Sequence, residues 1–324
     1  MTQHVIPNFW CNRTAEEAGE FYADAFGSAG FDARAAVSAR YPTEGLLDFQ
    51  RDLAGEALVV DVVIEGTQLA LVNAGPEFSP NPSISFMVNF DPLFFGAEGS
   101  DGAGPGTVGA DTPAAEARRR LDALWGKLSD GGFVMMPLGE YPFAAHYGWV
   151  QDRFGVSWQL MLTRPEGDPR PLIIPALMFD GPAQNRAAAA AARYVELFSG
   201  LPGGSAVGTQ FPYGEPAGDA TAEALAFGEF RVGEQWFMAS DNGSGTAHGF
   251  TNGVSLQVNC EDQAAIDALW AGLSAVPEAE QCGWLVDEFG VSWQIVPANM
   301  GELMERDGAY EKLLAMKKIV IAEF

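Results

Sequence analysis

Gly148-Trp-Val-Gln-Asp-Arg-Phe-Gly-Val-Ser-Trp-Gln159 and Gly283-Trp-Leu-Val-Asp-Glu-Phe-Gly-Val-Ser-Trp-Gln294 are one motif written twice. Phe154 to Gln159 and Phe289 to Gln294 are identical. Earlier segments echo each other in the same order. Tyr22-Ala-Asp-Ala-Phe26 matches Tyr194-Val-Glu-Leu-Phe198, and Gly66-Thr-Gln68 matches Gly233-Glu-Gln235. Ser85-Phe-Met-Val-Asn89 matches Ser255-Leu-Gln-Val-Asn259, and Leu121-Asp-Ala-Leu-Trp125 matches Ile266-Asp-Ala-Leu-Trp270. Order kept over five segments means a duplicated domain, since the period far exceeds that of solenoid repeats. The offset shrinks from 170 residues at Ser85/Ser255 to 145 at Leu121/Ile266 and 135 at the closing motif. The first copy therefore carries insertions after Phe90 and after Ser129. Arg164-Pro-Glu-Gly-Asp-Pro-Arg-Pro171 reads as the linker. The expected units are residues 1–165 and 171–324, the second with an added C-terminal helix.

The 324 residues suit two domains, and 48% hydrophobic content supplies their cores. With 18 Lys and Arg against 43 Asp and Glu, the formal charge is −25. That charge repels phosphate backbones and anionic membranes, so neither nucleic acid nor membrane is an expected partner. No basic-then-apolar leader opens the chain, and no apolar run reaches membrane-span length. Cys11, Cys260 and Cys282 are odd in number and far apart, which points to a reducing, cytoplasmic location.

Each copy reads β-α-β-β-β twice. In the first, a strand over 5–11 precedes a helix whose Thr14-Ala-Glu-Glu17 reads as a capping box and whose end is set at Gly27. Strands follow near 34–41, 57–64 and 67–73. A second module has a strand over 83–90, a helix opened by Pro113, and strands near 132–137, 147–151 and 156–162. The second copy has helices near 186–199 and 261–274. It lacks the counterpart of the strand at 132–137.

Paired β-α-β-β-β modules, a Phe-Tyr pair late in the first helix and an Asp-x-Phe-Gly-x-x-Trp closing strand resemble the vicinal-oxygen-chelate superfamily of glyoxalase I, extradiol dioxygenases and bleomycin-resistance proteins. Within it, Pro7-Asn-Phe-Trp10, Met136-Pro-Leu138 and both closing motifs are similar to the PhnB-like, demethylubiquinone methyltransferase-like family. The resemblance covers nearly the whole chain. It implies an α+β fold of tandem domains, each of two βαβββ modules curled around a cavity. It also implies a covalent pseudo-dimer, monomeric or weakly dimeric in solution.

In enzymes of that superfamily, His or Glu residues on the first, fifth and eighth strands hold a divalent metal. The eighth-strand slot falls on Gln159 and Gln294, and the fifth on about Ser83 and Gly253. Only His4 lies near the first. Neutral amides are weak ligands for a divalent ion, so no metal and no cofactor are expected. The glycine-rich stretch within 91–112 lacks Gly-x-Gly-x-x-Gly spacing, and no alternating parallel βα pattern accompanies it. It reads as a mobile insertion, and the methyltransferase label gains no support from it.

The function expected is therefore binding of a small, partly apolar molecule. The alternatives are a metal-dependent lyase, isomerase or dioxygenase of the superfamily, and then a methyltransferase. The expected pocket belongs to the first copy, lined by Trp10, Phe86, Phe143, His146, Ser157 and Gln159. Gln159 reads either as a cross-sheet hydrogen bond or as a ligand-reading group. His146 reads either as a loop histidine or as a polar contact or general base. Ser292 and Gln294 are the equivalents in the second copy, where Gln294 is expected to be satisfied internally. Asp152 and Asp287 read as turn organisers. Arg118 to Arg120 read as a solvated helix face.

Overall fold

The computed structural model describes residues 3–95, 112–164 and 170–324. The first copy runs β1 (Val5–Asn12), α1 (Ala15–Ser28), β2 (Ala33–Arg40), β3 (Ala57–Ile64), β4 (Thr67–Ala74), β5 (Ile84–Phe90), α2 (Pro113–Leu128), β6 (Phe133–Tyr141), β7 (Ala144–Gln151) and β8 (Ser157–Leu162). The second runs β9 (Ile173–Phe179), α3 (Ala187–Leu197), β10 (Ala206–Pro212), β11 (Leu225–Val232), β12 (Gln235–Asp241), β13 (Val254–Cys260), α4 (Gln263–Leu273), β14 (Trp284–Val286), β15 (Ser292–Pro297), α5 (Met300–Met304) and α6 (Ala309–Ala315). The βαβββ modules are those expected. The reading of 96–111 as a mobile insertion lies outside the described residues.

The strands form two sheets, ordered β14-β15-β13-β1-β4-β3-β2 and β10-β11-β12-β9-β5-β8-β7-β6. Each sheet takes one module from each copy. The joins are antiparallel ladders, β1 on β13 with Phe9 opposite Val254, and β5 on β9 with Val88 opposite Ile173. Helix-side faces of both sheets feed one core, where Phe9 meets Phe86 and Trp158 at ring-centroid distances of 5.0 and 6.5 Å.

The closing motif builds a buried knot. Gly155 and Gly290 take positive φ values of 87° and 90°, which only glycine adopts without cost. The turn brings Phe154 N–H and Val156 N–H onto Asp152 Oδ1, at 2.8 and 3.1 Å. Tyr22 Oη and Trp158 Nε1 both donate to Oδ2, at 2.8 Å. Asp287 repeats the pattern with Phe289, Val291, Tyr194 and Trp293. Turn organisation, read from the sequence, is thus half of the carboxylate's role. The other half ties α1 or α3 to the closing strand.

Two local expectations fail. Thr14 makes no side-chain cap; Asn73 Oδ1 from β4 accepts Ala15 N–H instead, and Asp241 does the same for Ala187. Helix α1 also runs past Gly27 to Ser28, and the positive φ falls on Gly30. In the second copy, Cys282 and Gly283 N–H donate to Met316 and Lys317 O, so the C-terminal segment covers the edge left by the missing strand.

Burial pushes the Asp152 carboxyl up to about 6, against the opposing pull of its four hydrogen bonds. A carboxyl raised on folding adds stability that is complete below its unfolded pKa and lost as pH rises through the folded value. Urea unfolding should therefore show a gain of about 1 kcal/mol from this group between pH 7.5 and 5. Asp152→Asn should be less stable and show a smaller pH slope. An unchanged slope would contradict the assignment.

Candidate functional site

Side chains alternate along a strand, so β8 sends Trp158 and Leu160 to the helix side and Ser157, Gln159 and Met161 to the outer face. In register, Ser85 lies opposite Ser157 and Met87 opposite Gln159. The Gln159 amide is fixed at both ends: Tyr147 Oη donates to Oε1 at 2.6 Å, and Nε2 donates to Ser85 Oγ at 2.8 Å. Trp149 Nε1 donates to Ser157 Oγ at 2.6 Å. Burial pushes the Tyr147 hydroxyl well above its ordinary range, so it stays a donor at neutral pH.

Around this pair lies a second apolar cluster, separate from the main core. Met87, Tyr147 and Ile174 are buried in it, and Met136, Trp149, Met161, Trp236 and Met238 pack there half-buried. Ile174, Trp236 and Met238 come from the second copy. Glu229, opposite Met238, holds Arg170 through two bonds of 2.9 and 3.0 Å, and Arg170 lies 4.0 Å over the Trp236 ring.

The six residues expected to line one pocket do not converge. Ser157 and Gln159 share the outer face. Phe143 sits at the turn beside them, 58% exposed, against Tyr141 and Tyr147. Phe86 pairs with Trp158 and lies fully buried on the opposite face, because it is one residue out of phase with Ser85 and Met87. His146 is out of phase with Tyr147 in the same way. It is buried under α2, its Nε2 2.6 Å from Asp122 Oδ1. An ionised carboxylate only accepts, so Nε2 carries the proton there. Trp10 belongs to the other sheet, edge-on to Trp284 at 6.2 Å, and Trp284 lies opposite Gln294. Sequence reasoning missed Ser85 and Met87, although Ser-x-Met at 85–87 matches Ser-x-Gln at 157–159. It could not see Trp236 or Met238, because nothing local announces pairing between copies.

On the seven-stranded sheet, Gln294 Nε2 donates to Ser255 Oγ at 2.9 Å, and Ser255 lies opposite Asn8. Cys282 stands where the first copy has Tyr147. Ser292 Oγ is buried without a partner among the described residues. The slot expected at Ser83 and Gly253 is therefore two residues later, at Ser85 and Ser255. The first-strand positions beside them are Ala176 and Asn8.

These donor sets do not fit a divalent ion. Ala176 offers no donor atom, the others are neutral, and the two glutamines already bond serines. No group of three His, Cys, Asp or Glu side chains comes together among the described residues. His4 lies against Gly233, away from both glutamines.

His146→Ala should cost about 1–2 kcal/mol in urea unfolding, because it removes a buried bond to a carboxylate. It should leave small-molecule binding on the outer face unchanged. A loss of affinity without a loss of stability would return His146 to the site.

No helix among the described residues is long and apolar enough to cross a membrane. No curated protein matches the chain. Among solved structures, the Bacillus cereus PhnB protein, which carries a 3-demethylubiquinone-9 3-methyltransferase description, is 24% identical over 50% of this chain and 100% of its own, with a TM-score of 0.36. A Pseudomonas aeruginosa protein is 18% identical over 50% and 98%, with a TM-score of 0.33. Glyoxalase I from Zea mays is 10% identical over 94% and 98%, with a TM-score of 0.47. The sequence model of the 3-demethylubiquinone-9 3-methyltransferase family matches residues 3–92, 112–161 and 171–296. With both copies matched, the chain belongs to this PhnB-like family.

Proposed function

We propose that the outer face of the eight-stranded sheet binds a small, partly apolar molecule. The observation that carries this reading is the half-buried cluster of Met136, Trp149, Met161, Trp236 and Met238 around an oriented amide. Methionine is flexible and polarizable, so such a wall adapts to ligands of differing shape. An amide has two N–H donors and two acceptor lone pairs. Tyr147 and Ser85 take one of each and fix the plane in which the others face a ligand.

Metal-dependent chemistry is disfavoured by the donor sets at the superfamily positions. Methyl transfer is named by the family's description, and no feature of this face specifically favours it. The chain is proposed to act as a monomer in the cytoplasm, with the two copies serving as each other's partners.

The test is calorimetric titration of the intact chain with a panel of small aromatic amides. Gln159→Leu, Met161→Ala and Met238→Ala should each weaken binding, by about fivefold or more for loss of a contact near 1 kcal/mol. Gln294→Leu should leave affinity unchanged. Affinity lost only at Gln294 would move the site to the other sheet. Elemental analysis should find no stoichiometric divalent ion, and about one per copy would overturn the metal-free reading.

A further inference from the structure

A cavity of about 800 Å³ lies apart from both glutamines, at the junction of the copies. The equivalent prolines Pro7 and Pro175 both line it, as do Thr67 and Gln235 from the corresponding hairpins. The size is in the range of small-molecule sites, about 300–1,000 Å³. Phe31, Leu69 and Phe95 give it an apolar wall from the first copy alone.

Its polar groups are unequally committed. Gln3 donates to Gln68 O and accepts Gln68 N–H, while Gln235 does the same with Val5. The exposed Glu65 carboxylate accepts Asp32 N–H at 2.8 Å. Arg120 is different. Its Nε donates to Glu116 at 2.7 Å and one Nη to Gly30 O at 2.7 Å. A guanidinium has five N–H donors, so three remain without a partner among the described residues. Glu116 is shared with Arg119, so two cations face one carboxylate. The Arg120 guanidinium carbon stands 4.9 Å from the Phe95 ring centre and 5.8 Å from that of Phe31. Arg118 and Arg119 are exposed, as the sequence suggested, but Arg120 lines the cavity.

We propose that this junction cavity binds a small molecule with an aromatic body and a carboxylate, the body against Phe31, Leu69 and Phe95 and the carboxylate on Arg120. Planar guanidinium matches a carboxylate with paired hydrogen bonds. The net charge of −25 works against anion binding in general, so a carboxylate here depends on local pairing with Arg120. Trp236 borders both this cavity and the outer-face cluster, whereas Phe31, Leu69, Phe95 and Arg120 belong to the cavity and not to that cluster.

The experiment is calorimetric titration of the intact chain with 2-naphthoate and with its neutral counterpart 2-naphthylmethanol. Naphthoate should bind about tenfold more tightly, as a charge-assisted pair requires. Arg120→Gln should abolish that preference. Thr67→Trp, which fills space at the wall, should weaken both ligands and keeps the test open if Arg120→Gln does not fold. Gln159→Leu should leave naphthoate binding unchanged. Equal affinities in the unaltered chain, no binding of either ligand, persistence of the preference in Arg120→Gln, unchanged binding in Thr67→Trp, or loss of naphthoate binding in Gln159→Leu would each overturn the proposal.

Discussion

The rest of the molecule depends on two antiparallel ladders, β1 with β13 and β5 with β9. A module alone would expose the strand edge that these ladders cover, and an uncovered edge is open to non-native pairing. Pairing across the copies satisfies both edges at once. It also fixes what faces what. Met238 reaches the Gln159 face only because β12 follows β9 onto the sheet of β5 and β8. Trp10 reaches Trp284 for the complementary reason.

The duplicated carboxylate knots show what both copies retain. Asp152 and Asp287 each accept from two backbone amides, one tyrosine and one tryptophan, joining a helix to its closing strand across about 130 or 93 residues of sequence. Every donor in the set needs an acceptor, so replacement by an apolar residue would strand buried N–H groups. The outer faces were free to diverge. One has Tyr147 on its glutamine and methionines around it. The other has Cys282 in that place, Ser292 Oγ unpartnered among the described residues, and the C-terminal helices packed near Val296.

The repeat of Phe-Gly-Val-Ser-Trp-Gln makes the modules, the duplication and the positions of Ser157 and Gln159 legible in the sequence. Strand alternation alone could also have assigned Phe86 and His146 to the helix side, since Ser85, Tyr147 and Gln159 share the opposite parity. Their chemistry, an aromatic and a histidine near a glutamine, points to a pocket, but their phase places them in the core. Trp10 and Met238 were beyond reach for a different reason. Which module of one copy joins which module of the other is decided by long-range pairing, and the sequence carries no local mark of it. The cap at Ala15 failed similarly, because Asn73 arrives from a distant strand and supplies the acceptor that Thr14 would have offered.

Cutting the chain between its copies tests the interlocked arrangement most directly. A protease site placed within residues 165–169 of the full-length protein, cleaved after folding, would sever the only covalent link between them. With shared sheets, the two fragments remain one particle in size-exclusion chromatography and native mass spectrometry until denaturant is added. Separation into two independently folded fragments under native conditions would contradict the pairing of β1 with β13 and of β5 with β9.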